Sequence, residues 1–149
     1  MILRPVSMHD HRFILECNED WPVTDRGPAT SDSVTRWIRR WMYRDGETCL
    51  VATENATQVG YICYRQNLVC CKVDYLLVHP FHRGKGKSSE IVRLLRDKLI
   101  KEGVVVAEFD ALPGVISSQI KNGKYLHVGE KKGFNGPLVV GQLTQDMKV

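Results

Sequence analysis

Residues 78–89, V-H-P-F-H-R-G-K-G-K-S-S, restrict the fold more than any other part of the chain. The apolar, β-branched run VCCKVDYLLV leads into them, and behind them Ile91, Leu94, Leu95 and Leu99 recur at helical spacing until Gly103. A strand therefore runs into a glycine loop, and the loop opens a helix. Glycines let backbone N–H groups crowd around one point, and a helix start adds unpaired donors and a partial positive charge. Strand, glycine loop and helix in succession make a cradle for an anion such as a phosphate. Arg83, Lys85 and Lys87 bring full charges to the same place.

The formal net charge of +4 is concentrated here: residues 82–101 hold seven cations and two anions, which leaves the rest of the chain close to neutral. That distribution suits one localised polyanionic ligand better than diffuse attraction to nucleic acid or to a membrane surface.

The remaining elements follow from pattern. Residues 1–6, MILRPV, read as a short edge strand because Pro5 would cost a central ladder a hydrogen bond. Ser7-x-x-Asp10 resembles a capping box opening a helix that carries Phe13, Ile14 and Cys17 on one face. A loop spans residues 18–30. A second helix has Val34, Trp37, Ile38, Trp41 and Met42 on one stripe and stops at Asp45-Gly46. TCLVATE, VGYICYR and VCCKVDYLLV are joined by short polar turns, which predicts three antiparallel strands. VVVAEFDAL is a further strand, parallel to VCCKVDYLLV because a helix separates the two. A helix is expected somewhere between Ile116 and Lys132, and GPLVVGQLTQ is a last strand. The order β-α-α-β-β-β-α-β-α-β describes one α/β (α+β) domain over residues 1–149 with a mixed, mostly antiparallel sheet.

A chain of 149 residues with 43% hydrophobic content fills one core without disulfide or metal support. The five cysteines contain no C-x-x-C pair and read as reduced thiols; no spacing of cysteine and histidine resembles a metal site, so no metal is expected. The N-terminus lacks a signal peptide's apolar stretch and no run is long enough to span a bilayer, which predicts a cytoplasmic protein without a membrane partner.

Two phosphate loops compete for residues 78–89. Gly86-Lys87-Ser88 matches the tail of G-x-x-x-x-G-K-[ST], but that motif needs glycine where Phe81 stands. The segment instead resembles the signature of the GNAT superfamily of acyl-CoA N-acyltransferases, V-x-P-x-x-[QR]-G-x-G-x-[GA]. Val78, Pro80, Arg83, Gly84 and Gly86 match it in type and spacing, and Ser88 replaces the usual Gly or Ala.

The resemblance implies an N-acetyltransferase acting directly between acetyl-CoA and a primary amine of a small molecule or protein. Acetyl-CoA would lie where the two parallel strands splay apart, its pantetheine arm along Leu77 and Val78. Its pyrophosphate would rest on backbone groups of Arg83, Gly84, Lys85, Gly86, Lys87, Ser88 and Ser89. A backbone N–H near Leu77 or Val78 would stabilise the developing oxyanion. Asp74 stands close to where many relatives carry a glutamate base, with a paired strand carboxylate as the plainer reading. The tyrosine that protonates the thiolate in many relatives is missing, since the Y-x-K-x-G-F ending reads Gly129-Glu130-Lys131-Lys132-Gly133-Phe134 here. Tyr125, one helical turn earlier if that helix is continuous, is the substitute, with His127 behind it. Trp21, with Glu19, Asp20 and Asp25, stands in the loop that often lines the acceptor site in such enzymes. A homodimer is among the assemblies the resemblance allows.

Two other readings belong beside it. The missing tyrosine also suits a module that binds acyl-CoA without turnover. Arg36, Arg40 and Arg44 repeat every four residues opposite the tryptophans, the pattern of a solvated basic face. Their sharper alternative is docking of an acidic protein or RNA, although nucleic acid is not the partner the chain's charge distribution favours.

Overall fold

The computed structural model describes residues 1–19, 28–67, 70–104, 106–110, 125–133 and 136–143. Short turns between β2 (Glu47–Glu54), β3 (Thr57–Gln66) and β4 (Cys70–Val78) force an antiparallel meander. Strand β1 (Ile2–Pro5) joins at the edge, where Pro5 is tolerated. Helices α1 (His11–Glu19) and α2 (Ser31–Tyr43) cover one face of the meander, and α3 (Lys87–Lys101) covers the other. Beyond β4 lie β5 (Val106–Asp110), β7 (Gly136–Leu143) and β6 (Tyr125–Gly133), giving the sheet order β1-β2-β3-β4-β5-β7-β6. Among the described residues only the β4–β5 pair is parallel. Among the described residues no helix is long and apolar enough to cross a membrane.

Each face of the meander has its own core. Under α3 lie Leu50, Ala52, Ile62, Tyr64, Cys71 and Val73; under α1 and α2 lie Cys49, Val51, Tyr61, Cys63 and Leu77. Alternation along β2 and β3 is regular. Along β4 it is not: Cys71 and Val73 face α3, but so do Leu76 and Val78, three residues on from Val73 rather than two. The ladder explains this, because Cys63 pairs with Tyr75 and Tyr64 with Val73, which leaves Asp74 as one extra residue. The β-bulge at Asp74 resets the parity of the strand and keeps both apolar sets buried.

Gly60 stands opposite Val78, where β3 and β4 approach closely. A Cβ at this position would lie 2.6 Å from the Leu77 carbonyl oxygen and 3.1 Å from Cδ1 of Ile91. Since the obstacle is backbone, Gly60→Ala is expected to cost about 2–3 kcal/mol in chemical denaturation, the scale of overpacking in a core. An unchanged midpoint would show that the two strands have room to part.

The sequence expectation fails in one element. Of the helix expected between Ile116 and Lys132, residues 116–124 lie outside the described residues, and the remainder is strand instead: Tyr125–Gly133 is β6, paired with β7 from Tyr125 opposite Leu143 to Gly133 opposite Gly136. The strand lies at the sheet edge, where a continuous apolar pattern is not required.

Candidate functional site

The parallel ladder between β4 and β5 is short. It runs from Cys70 opposite Val106 to Val73 opposite Phe109 and stops at the bulge. Past that point, among the described residues, 75–78 pair with β3 alone. His79 N–H donates to the Val59 carbonyl at 2.9 Å, so alternation places the N–H and C=O of Leu77 in the β3 ladder and those of Leu76 and Val78 on the β5 side. This corrects the expectation for Leu77: its backbone is engaged within the sheet, and its buried side chain belongs to the core under α1 and α2. The groups that face the gap are those of Leu76 and Val78.

At the far end of the same strand a 3-10 turn, Pro80–His82, carries the chain into the glycine loop. Gly84 and Gly86 adopt φ of +75° and +73°, the left-handed region that side chains disfavour. Gly86 is also the N-cap of α3 and offers no side-chain acceptor to the first turn. A helix start of this kind, without a side-chain cap, is the sort that suits an anion.

The three cations of this loop are held by the protein itself. Arg83 Nε donates to the Val78 carbonyl at 2.9 Å, fastening the loop to the strand end. Lys85 Nζ donates to the Phe81 carbonyl at 3.3 Å. Lys87 Nζ donates to both carboxylate oxygens of Glu54, at 2.8 and 2.9 Å. Through that bond Lys87 holds the Glu54 carboxyl below its usual range, and Glu54 raises the lysine. Lys85 and Lys87 are thus tied beside the loop, and Arg83 braces it against the strand. His82 is pushed below the ordinary imidazole value, by partial burial first and then by Lys85, His79 and Lys87.

Asp74, the bulge residue, is gripped by Arg65, whose Nε and Nη2 reach its two oxygens at 2.8 and 3.0 Å. The pair raises Arg65 above its ordinary value. Beside it Tyr75 packs edge-on against Trp37 and Trp41 at 5.8 and 6.5 Å between ring centres. Burial is the first cause that raises the Tyr75 phenol, with Cys63 and Asp74 adding to it, so it stays protonated at neutral pH. The bulge thus brings a carboxylate and a phenol together where β4 and β5 separate.

Other expected site residues fare differently. Trp21 and Asp25, with Asp20, lie outside the described residues, while Glu19 ends α1 in an exposed position. Tyr125 begins an edge strand, so four residues separate it from Gly129 by about 13 Å of extended chain rather than one helical turn, and the spacing argument for it falls. Ser88 and Ser89 lie in the first turn of α3, which begins two residues before the expected start, at Lys87. Of the arginine stripe, Arg40 and Arg44 are engaged with Glu47, at 2.9 and 4.0 Å. The buried thiols of Cys17 and Cys71 are both pushed up to about 12 by burial, which makes them poor nucleophiles.

Sequence reasoning missed Arg65, Glu54 and the pair of His79 with Glu16. The bulge alone left a readable trace, the three-residue step from Val73 to Leu76 in VCCKVDYLLV.

Comparison with known proteins bears on family and fold. The sequence model of the Acetyltransferase (GNAT) family matches residues 12–113. The structure is similar to that of an aminoglycoside acetyltransferase, AAC(6')-Ib, in complex with coenzyme A, with TM-score 0.75, 20% identity, and 97% of this chain and 95% of that one covered. It is similar to the spermidine/spermine N-acetyltransferase SpeG of Vibrio cholerae, with TM-score 0.70, 13% identity, and 95% and 91% of the two chains covered. An uncharacterized protein of Bacillus halodurans superposes with TM-score 0.75 at 12% identity, over 97% of this chain and 84% of that one. No curated protein sequence matches significantly. At these identities the likeness to solved structures is one of fold.

Proposed function

The chain belongs to the acetyltransferase (GNAT) family, and from that premise we propose that it transfers the acetyl group of acetyl-CoA directly to a primary amine. The observation that carries the reading is the end of the β4–β5 ladder at Val73 and Phe109, on the same strand whose other end opens into the loop of Gly84 and Gly86. An edge of β4 that no other described strand covers over residues 75–78 suits an extended amide-bearing arm, and the start of α3, which has no side-chain cap, suits a diphosphate. The residues present therefore fit acetyl-CoA as substrate: Leu76 and Val78 along the arm, and residues 83–89 around the phosphates. The outward N–H groups of Leu76 and Val78 are the donors for the charge that develops on the thioester oxygen.

The amine must lose a proton, because an alkylamine with a pKa of about 10.4 is mostly charged at pH 7. Asp74 is the group we assign to attract it and accept the proton, directly or through water. Arg65 occupies one lone pair on each Asp74 oxygen and fixes the plane of the carboxylate, which leaves the remaining lone pairs for the amine. Asp74→Asn is expected to lower kcat roughly 100-fold, within the usual range for a general base, and to leave acetyl-CoA affinity unchanged. An unaltered kcat would remove Asp74 from the chemistry.

The similar proteins named above act on spermidine or spermine and on aminoglycosides, which are polyamines in the chemical sense. A thiol-release assay over such amines and over peptides, with mass analysis of the product, tests the proposal. Acetylated amine is the expected product. Tight acetyl-CoA binding without turnover on any acceptor would favour the second reading, a silent acyl-CoA-binding module.

A further inference from the structure

His79 is the first residue after β4, and every polar atom it has is used. Its N–H donates to Val59 and its carbonyl accepts from His82 N–H at 2.8 Å. The Phe81 backbone N–H reaches its Nδ1 at 3.3 Å. A backbone N–H can only donate, so Nδ1 carries no proton and the ring is the neutral tautomer protonated on Nε2. Nε2 in turn lies 2.9 Å from Oε2 of Glu16 on α1 and donates to it. Arg12 Nε holds the other Glu16 oxygen at 3.1 Å. The imidazole is stacked between Phe13, at 5.5 Å and 15°, and Phe81, at 5.4 Å and 23°. Only 11% of the side chain is exposed.

A leucine would fill the slot between two phenyl rings without any desolvation cost. What the imidazole adds is an acceptor aimed at the first free N–H of the turn that steers the chain from the strand gap into the glycine loop. The family signature leaves this position open. From this geometry we infer that His79 is a positioning residue for acetyl-CoA binding: its Nδ1 sets the exit angle of the chain from β4, and thereby the direction of the amides from Arg83 to Ser89, while Glu16 holds the ring in the tautomer that can do so. The inference rests on the cofactor placement proposed above.

Two substitutions separate positioning from packing. His79→Asn keeps a side-chain oxygen able to accept the Phe81 N–H, in the manner of a good N-cap, but has neither the ring nor the reach to Glu16. His79→Leu keeps the apolar filling and loses the acceptor. Calorimetric titration with CoA, alongside thermal unfolding without ligand, is expected to show His79→Leu weakened about tenfold, the scale of one hydrogen bond. His79→Asn is expected to stay within about threefold of the unsubstituted protein despite a lower melting temperature. Equal loss in both variants, or loss only in His79→Asn, would overturn the inference, since the histidine would then be packing. Failure of the unsubstituted protein to bind CoA would overturn the cofactor placement and this inference with it.

Discussion

Gly86→Val is expected to weaken CoA binding by about 100-fold while shifting the thermal unfolding midpoint by only a few degrees. No atom lies within 4 Å of where a Cβ would stand at Gly86, so the substitution is not blocked by a clash. The difficulty is the backbone, held at φ +73° and ψ 14°, a conformation that costs a side-chain-bearing residue about 1–2 kcal/mol and a β-branched one more. An exposed loop relieves that cost by turning its peptides, and the N–H groups that face a diphosphate turn with them. Loss of two hydrogen bonds to a charged group, at about 1.5 kcal/mol each, gives the expected factor. Gly84, at φ +75° and equally unobstructed, is expected to behave alike. Calorimetry with CoA measures the effect, and unchanged affinity would move the phosphate site away from this loop.

The largest loss of stability is expected from Asp10→Ala, at about 3 kcal/mol, because it strands the groups that converge on a buried carboxylate. The Asp10 side chain is fully buried, and its oxygens accept from Arg4 at 2.8 and 2.7 Å, from Ser7 N–H at 2.9 Å and from Gln58 at 2.6 Å. These bonds tie the β1 edge and the start of α1 to β3. Burial is the largest single influence on the carboxyl and would raise its pKa, but the bonds from Arg4, Ser7 and Gln58 together outweigh it and hold the group below its ordinary value. The sign of the pH effect follows. The folded protein binds this proton less readily than the unfolded chain, so the contribution is complete above the unfolded value of about 3.9 and is lost as pH falls toward the lowered folded value. Denaturation midpoints measured at neutral pH and near pH 3 should converge for the original protein and Asp10→Ala at the acid end. A constant difference across pH would contradict the account.

Much of the site was legible because its parts are local. The glycines at 84 and 86, the apolar stripe of α3 and the β-rich run before them lie within some thirty residues, and each announces itself by residue type. The apolar stripe of α2 was equally plain, with Trp37 and Trp41 buried as their spacing requires. What escaped depends on partners distant in sequence. Arg65 stands opposite Lys72 in the ladder and reaches Asp74 diagonally, two positions along the neighbouring strand. Lys87 finds Glu54 thirty-three positions away across the sheet. The fate of Tyr125 turned on an edge strand whose charged residues carry no apolar rhythm, since an edge is paired on one side alone.

An amide proton–nitrogen NMR titration of the protein with acetyl-CoA tests the central claim most directly, because the site proposed is made of backbone N–H groups. Saturable shifts are predicted at Leu76 and Val78 on the gap side of β4 and at Gly84, Gly86, Lys87 and Ser88 around the loop, with the amide of Leu77 moving less because it is held in the β3 ladder. Shifts confined to another face of the sheet, or none at saturating ligand, would contradict the placement of the cofactor and the acetyl transfer built on it.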